Sequence, residues 1–328
     1  MYALRRPRVN RGHLGKMQQR RESASGKLPE QTLARASLML YQTGNEGRIL
    51  RGPKFCLSLR QTCMSRQQYA VVCALLLWLG LSSPSVITAQ ENFEIQVYGS
   101  ETATPGSTMV ELHSNIAAKG TTHTEQGVVP TEHALHETIE ITHGFTPWFE
   151  TGFYLFTSIQ PKTGWEWVGD HIRPRVRVPE SWHWPVGVSL SLEVGYQRRE
   201  FSTDTWALEI RPIIDDRRGR WYWSFNPVLE RALKGENVNR GFEFSPNFKV
   251  SYEITPKVSG GLEYYGSVGP LTGFDPPTEQ QHQLFPVIDL DLGPQWEFNL
   301  GAGVGLTRST DPLIIKMILG YRFGVDSP

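Results

Sequence analysis

The chain has 328 residues with 33 basic and 33 acidic side chains, and 39% of its residues are hydrophobic. That neutrality conceals a split: residues 1–89 hold 14 Lys+Arg against 3 Asp+Glu, which leaves residues 90–328 with 19 basic and 30 acidic side chains, a net charge of −11. An acidic surface repels phosphate, so no nucleic-acid partner is expected. Cys56, Cys63 and Cys73 all precede residue 90, which excludes disulfides, thiolate metal sites and cysteine nucleophiles from the remainder. No apolar run reaches the ~18 residues that a membrane-crossing helix needs.

The longest apolar run, Ala70–Leu81, follows Arg66 and precedes Ser82-Ser83-Pro84 and Ile87-Thr88-Ala89. As a helix it would reach roughly 18 Å, short of the roughly 30 Å bilayer core, whereas a basic start, a short apolar stretch and a small exit residue suit an export signal. Residues 64–89 therefore read as a signal peptide starting at Met64 and cleaved after Ala89, and residues 1–63 as a non-native upstream or disordered extension. The alternative, a buried core helix, finds no helical partner later in the chain. Cys73 sits inside the run rather than just beyond it, which disfavours a lipoprotein anchor.

Residues 90–106 read as a periplasmic or lumenal N-terminal segment. It contains one extended piece, Phe93–Tyr98, that could add a thirteenth strand to the twelve expected over 107–328. Those twelve fall at 108–116, 133–143, 148–158, 166–177, 186–199, 204–214, 221–232, 240–253, 257–268, 281–291, 295–306 and 312–323. Each alternates apolar and polar residues, as in Val186, Val188, Leu190, Leu192, Val194 and Tyr196 against Gly187, Ser189, Ser191, Glu193, Gly195 and Gln197, which is the period of a half-buried strand. Short breaks (144–147, 215–220, 254–256, 292–294, with 178–185 somewhat longer) alternate with longer ones (117–132, 159–165, 233–239, 269–280), the pattern of an up-and-down barrel. The link at 200–203 is short for its place. The expected fold is all-β: a closed antiparallel up-and-down transmembrane β-barrel.

A soluble sandwich would alternate too, with its apolar side chains turned inward. Twelve strands enclose a lumen wide enough for ionic groups to pair or be hydrated, so the polar faces are assigned to the inside and the apolar faces, with Glu137 and Asp170 as exceptions, to lipid. Trp148, Trp165, Trp182, Trp184, Trp206, Trp221 and Trp296 near strand ends suit interfacial belts. Pro174, Pro212, Pro227, Pro246 and Pro286 fall inside strands; since proline cannot donate to the ladder, each should mark a bulge or a misplaced boundary.

The densest lumenal charge run is His171, Arg173, Arg175 and Arg177. It reads either as an anion-attracting ladder or as an internal ion-pair network answered by Glu150, Glu193 and Glu209. Further pore-lining candidates are Glu111, Arg211, Glu243, Lys249, Glu263, Glu297 and Lys316. No metal site is expected: His136-Glu137-Thr138-Ile139-Glu140 begins like a zincin helix, but positions four apart on a strand lie roughly 13 Å from each other. Gly301, Gly303 and Gly305 lack the strand-turn-helix setting of a dinucleotide loop and read as lumenal space or curvature. No cofactor and no catalytic residue are assigned. A lipid-hydrolysing enzyme is the alternative, requiring a serine and a histidine within bonding reach.

Leu313–Phe323 (LIIKMILGYRF), ending on a phenylalanine near the C-terminus, resembles the terminal strand by which bacterial outer-membrane β-barrels are recognised by their insertion machinery. The turns at Thr146-Pro147 and Thr255-Pro256 resemble the periplasmic turns of that class, including the transporter-like barrels grouped with phenol-degradation MetA proteins. The five residues after Phe323 depart from the pattern. The resemblance implies an outer-membrane location, lipid and insertion-machinery partners, and a channel or transporter for small solutes, with a non-conducting structural barrel as the alternative.

Overall fold

The computed structural model describes residues 92–324, and the readings made for residues 1–63 and 64–89 lie outside them. Twelve strands follow in chain order: β1 Thr108–Lys119, β2 Leu135–Thr146, β3 Phe149–Gln160, β4 Gly164–Arg177, β5 Gly187–Gln197, β6 Asp204–Arg218, β7 Trp221–Gly235, β8 Glu243–Thr255, β9 Val258–Ser267, β10 Gln281–Leu290, β11 Trp296–Gly305 and β12 Leu313–Phe323. Every strand pairs antiparallel with its neighbours in sequence, and β12 returns to β1, closing a single barrel.

Alternation decides which face points where, and the faces are inverted relative to a soluble protein. Ile139, Phe153, Ile172, Leu262, Ile288 and Ile315 are exposed on the outside, while Glu111, Glu140, Glu150, Arg173, Arg175, Arg211, Glu263 and Lys316 are buried within. Among the described residues no second sheet covers the apolar faces, and the strands close into a barrel rather than a sandwich. Aromatic rings gather in two belts. Trp167, Tyr196 and Trp206 stack at one end; Phe145 with Phe149, Trp221 with Tyr252, and Trp296 with Tyr321 and Phe323 meet at the other.

The end bearing the start of β1, the close of β12 and the tight links 147–148, 219–220 and 256–257 is here called the turn end, and the opposite one the loop end. The β3–β4 link is only 161–163 and the β6–β7 link only 219–220, both shorter than expected, while the β4–β5 link at the turn end runs over 178–186, the longer turn expected there, and carries a short 3-10 turn, Glu180–Trp182. In β4, strict alternation would turn Trp165 and Trp167 to the same side as His171. A bulge at Val168 resets the phase, because Phe156 pairs with Gly169 but Thr157 with Trp167, and Trp165 faces outward.

The prolines correct the expectation made for them. All five lie inside strands, and the register is unchanged across each. Where they leave a mark it is a gap in the ladder: β6 and β7 pair at Ile210–Leu229 and again at Ile214–Phe225, leaving unbonded the stretch where Pro212 faces Pro227. Pro286 falls in a similar gap between β10 and β11. A long strand keeps its register through a local gap because the paired residues on either side fix it.

Candidate functional site

Residues 92–106 do not join the sheet; Phe93–Tyr98 is not a thirteenth strand. They thread the lumen as a strap from the loop end, where Asn92 Nδ2 donates to Asp311 at 2.6 Å, to the turn end, where the Gly106 amide donates to the Gly144 carbonyl at 2.7 Å. A segment without a ladder must find other partners for its backbone, and the lumenal side chains supply them. Asn115 and Thr138 donate to the Phe93 carbonyl, Lys316 to that of Ile95, Arg211 to that of Gln96, and Ser224 and Asn226 to that of Tyr98. Arg175 reaches the carbonyls of Gly99 and Glu101 at 3.1 and 2.6 Å, and Asn226, Asp215 and Glu150 accept from the amides of Tyr98, Ser100 and Ala103. The Asp311 carboxyl, in the β11–β12 loop, is raised above the usual carboxylate range by burial.

The strap's own alternation sorts its side chains. Ile95 and Val97 pack on Tyr265, Phe285, Val287 and Ile314, while Phe93 packs on Tyr154, Phe156, Val168 and Phe201. Tyr98 turns toward the charges, with Arg173 4.6 Å and Arg211 4.9 Å from its ring centre and its hydroxyl 3.0 Å from that of Tyr154. These inward aromatics are the part that sequence reasoning missed. The readable signal was Phe285 and Val287 in phase with the lumenal Gln281 and Gln283, two apolar residues continuing a polar face.

The charge run on β4 is answered residue by residue. His171 Nδ1 lies 2.6 Å from Glu193, Arg173 pairs with Glu140, and Arg175 lies 2.6 Å from Glu150. Glu209, expected to serve this run, is taken by Arg211 at 2.6 Å instead. Arg177 and Glu243 sit at the rims rather than in mid-lumen, on Glu180 of the turn end and Arg240 of the loop end. On the opposite wall Lys249 and Lys316 converge on Glu263, and Lys249 also meets Asp289 at 2.8 Å. Beside the strap remains a polar cavity of about 160 Å³ touching Gln96, Tyr222, Lys249, Glu263, Asp289 and Glu297. On β4 and around Glu263, then, base and acid lie side by side rather than as a run of one sign.

The glycine row of β11 serves as space: a Cβ at Gly303 would stand 2.2 Å from the Phe285 ring. His136 and Glu140 share the lumenal face of β2, while His133 lies in the preceding link and Glu137 accepts from Ser114. Among the described residues no histidine nitrogen bonds a serine; His143 meets Thr108, and His282 meets Tyr264 and Gln280.

A lipid-compatible exterior, an ionic interior and aromatic belts at both ends define a transmembrane β-barrel of the bacterial outer-membrane class. No protein-family model and no curated protein sequence matches the chain. Among solved structures it is similar to the COG4313 outer membrane channel from Pseudomonas putida F1, with 10% identity and a TM-score of 0.48 over 70% of this chain and 100% of that one. It is also similar to the KdgM porin, with 8% identity and a TM-score of 0.44 over 66% and 99%, and to Omp33 of Acinetobacter baumannii, with 12% identity and a TM-score of 0.38 over 69% and 100%.

Proposed function

We propose that the protein is an outer-membrane channel for small polar solutes whose lumen is closed at rest by its own N-terminal strap. One observation carries this reading: the strap lies inside an ionic lumen without pairing into the sheet, held by hydrogen bonds, cation–π contacts on Tyr98, a Glu94–Arg211 ion pair and small apolar contacts, with a polar cavity beside it. A segment so held can leave without breaking the barrel wall, and what it uncovers is a hydrated, charged passage. In this reading the turn end faces the periplasm and the insertion machinery engages β12 through Phe323.

Planar-bilayer recording tests the proposal. The mature chain should give infrequent small steps, and a variant lacking residues 92–103 should give steady, larger ones. A deletion variant that folds, inserts and stays silent would favour the purely structural barrel.

A further inference from the structure

Glu111 and His113 stand on the lumenal face of β1, and Glu140 faces Glu111 directly across the β1–β2 ladder. One ligand atom from each lies within 4.8 Å of the other two, and His113 Nε2 is 3.4 Å from Glu140 Oε2. All three side chains are buried, His113 completely. Even so, neither ring nitrogen of His113 nor Oε1 of Glu111 makes a hydrogen bond, an expensive condition for enclosed polar atoms. Arg173 answers Glu140. Among the described residues, however, no arginine or lysine is within ion-pair distance of Glu111, nor of Glu297, which lies in the same row across Gly320.

We propose that Glu111, His113 and Glu140 bind a divalent transition-metal ion of the Zn²⁺ type. Carboxylates alone would suit calcium, magnesium or manganese; the imidazole moves the preference to zinc or ferrous iron. Three protein ligands leave positions for water, as open zinc sites do. The ion supplies what the protein lacks at this spot, partners for the unbonded nitrogen and oxygen and positive charge for the excess acid. It also sits where the strap docks, since the Tyr98 hydroxyl is 3.5 Å from Glu140 Oε2. The strand geometry that separates His136 from Glu140 is bypassed, because two of these ligands come from the neighbouring strand. The site stands whether or not the barrel conducts.

The test uses the mature barrel folded in detergent, stripped with EDTA and dialysed against zinc chloride, with bound metal counted by mass spectrometry. One zinc per barrel is expected. Affinity should weaken by roughly ten-fold or more in Glu111→Gln and His113→Ala variants that keep the heat-modifiable mobility of a folded barrel. It should not change in His133→Ala, an exposed link histidine. Failure of the folded parent to take up zinc stoichiometrically, or uptake indifferent to both substitutions, overturns the assignment. Should both variants misfold, X-ray absorption on the zinc-loaded parent decides: imidazole scattering with oxygen neighbours supports the site, and an all-oxygen shell refutes it.

Discussion

Arg175 touches both halves of the molecule. It neutralises Glu150 at 2.6 Å and holds the strap carbonyls of Gly99 and Glu101. Removing it leaves Glu150 buried with no ion pair except the 3.9 Å contact to Arg173, a change that typically costs about 3–5 kcal/mol. Arg177, two residues on, meets a Glu180 that is 84% exposed, and such a pair is worth about 1 kcal/mol or less. Urea unfolding of the folded barrel should therefore show a large loss for Arg175→Ala and almost none for Arg177→Ala; equal losses would mean that lumenal burial does not set the strength of these pairs. The run itself was legible, because period two put all four residues on one face. Its partners were legible in part: Glu150 and Glu193 were expected and meet Arg175 and His171, whereas Glu209 is taken by Arg211 and Glu140 was not foreseen as the partner of Arg173. Which acid answers which base depends on the register of neighbouring strands, and two of the acceptors of Arg175 are backbone carbonyls with no signature in sequence.

At the scale of elements, alternation located all twelve strands within a few residues of their ends, because a lipid-facing strand tolerates few polar residues outside and few apolar ones inside. What alternation could not carry was phase across an inserted residue, as at Val168, or a local break in hydrogen bonding that leaves the register intact, as where Pro212 faces Pro227. Nor could it show that the glycines of β11 leave room for a ring. With Gly303 replaced by leucine, the side chain would enter the space of Phe285 and disturb the contacts of that ring with Ile95 and Val97. Overpacking of this kind costs about 1–3 kcal/mol. Ala302→Leu, one position away and facing outward, should leave the unfolding midpoint near that of the parent. A leucine tolerated equally at both positions would show that the β10–β11 interior is loosely packed.

Residues 92–324 form a barrel built around a strap that runs from the loop end and joins the wall at the turn end. The wall was readable because its two faces differ in polarity over more than two hundred residues. The strap was readable only as an extended piece, since its placement depends on polar side chains contributed by strands from β1 to β12, and no local pattern in residues 92–106 names them. Each of its hydrogen bonds has a net worth of about 1 kcal/mol, so docking is reversible in principle while the barrel, with every strand paired on both sides, is not expected to open.

The most direct test of a closing strap is to fasten it at the loop end. Asn92 and Asp311 meet at 2.6 Å at the loop end, and residues 90–328 contain no cysteine. Cysteines at these two positions can therefore be joined by a short reversible thiol cross-linker without competing thiols. Cross-linked barrels in a planar bilayer should be silent, and a reductant added to the same membrane should release discrete conductance steps. Steps of the same size and frequency before and after reduction would contradict a strap that closes the lumen by occupying it.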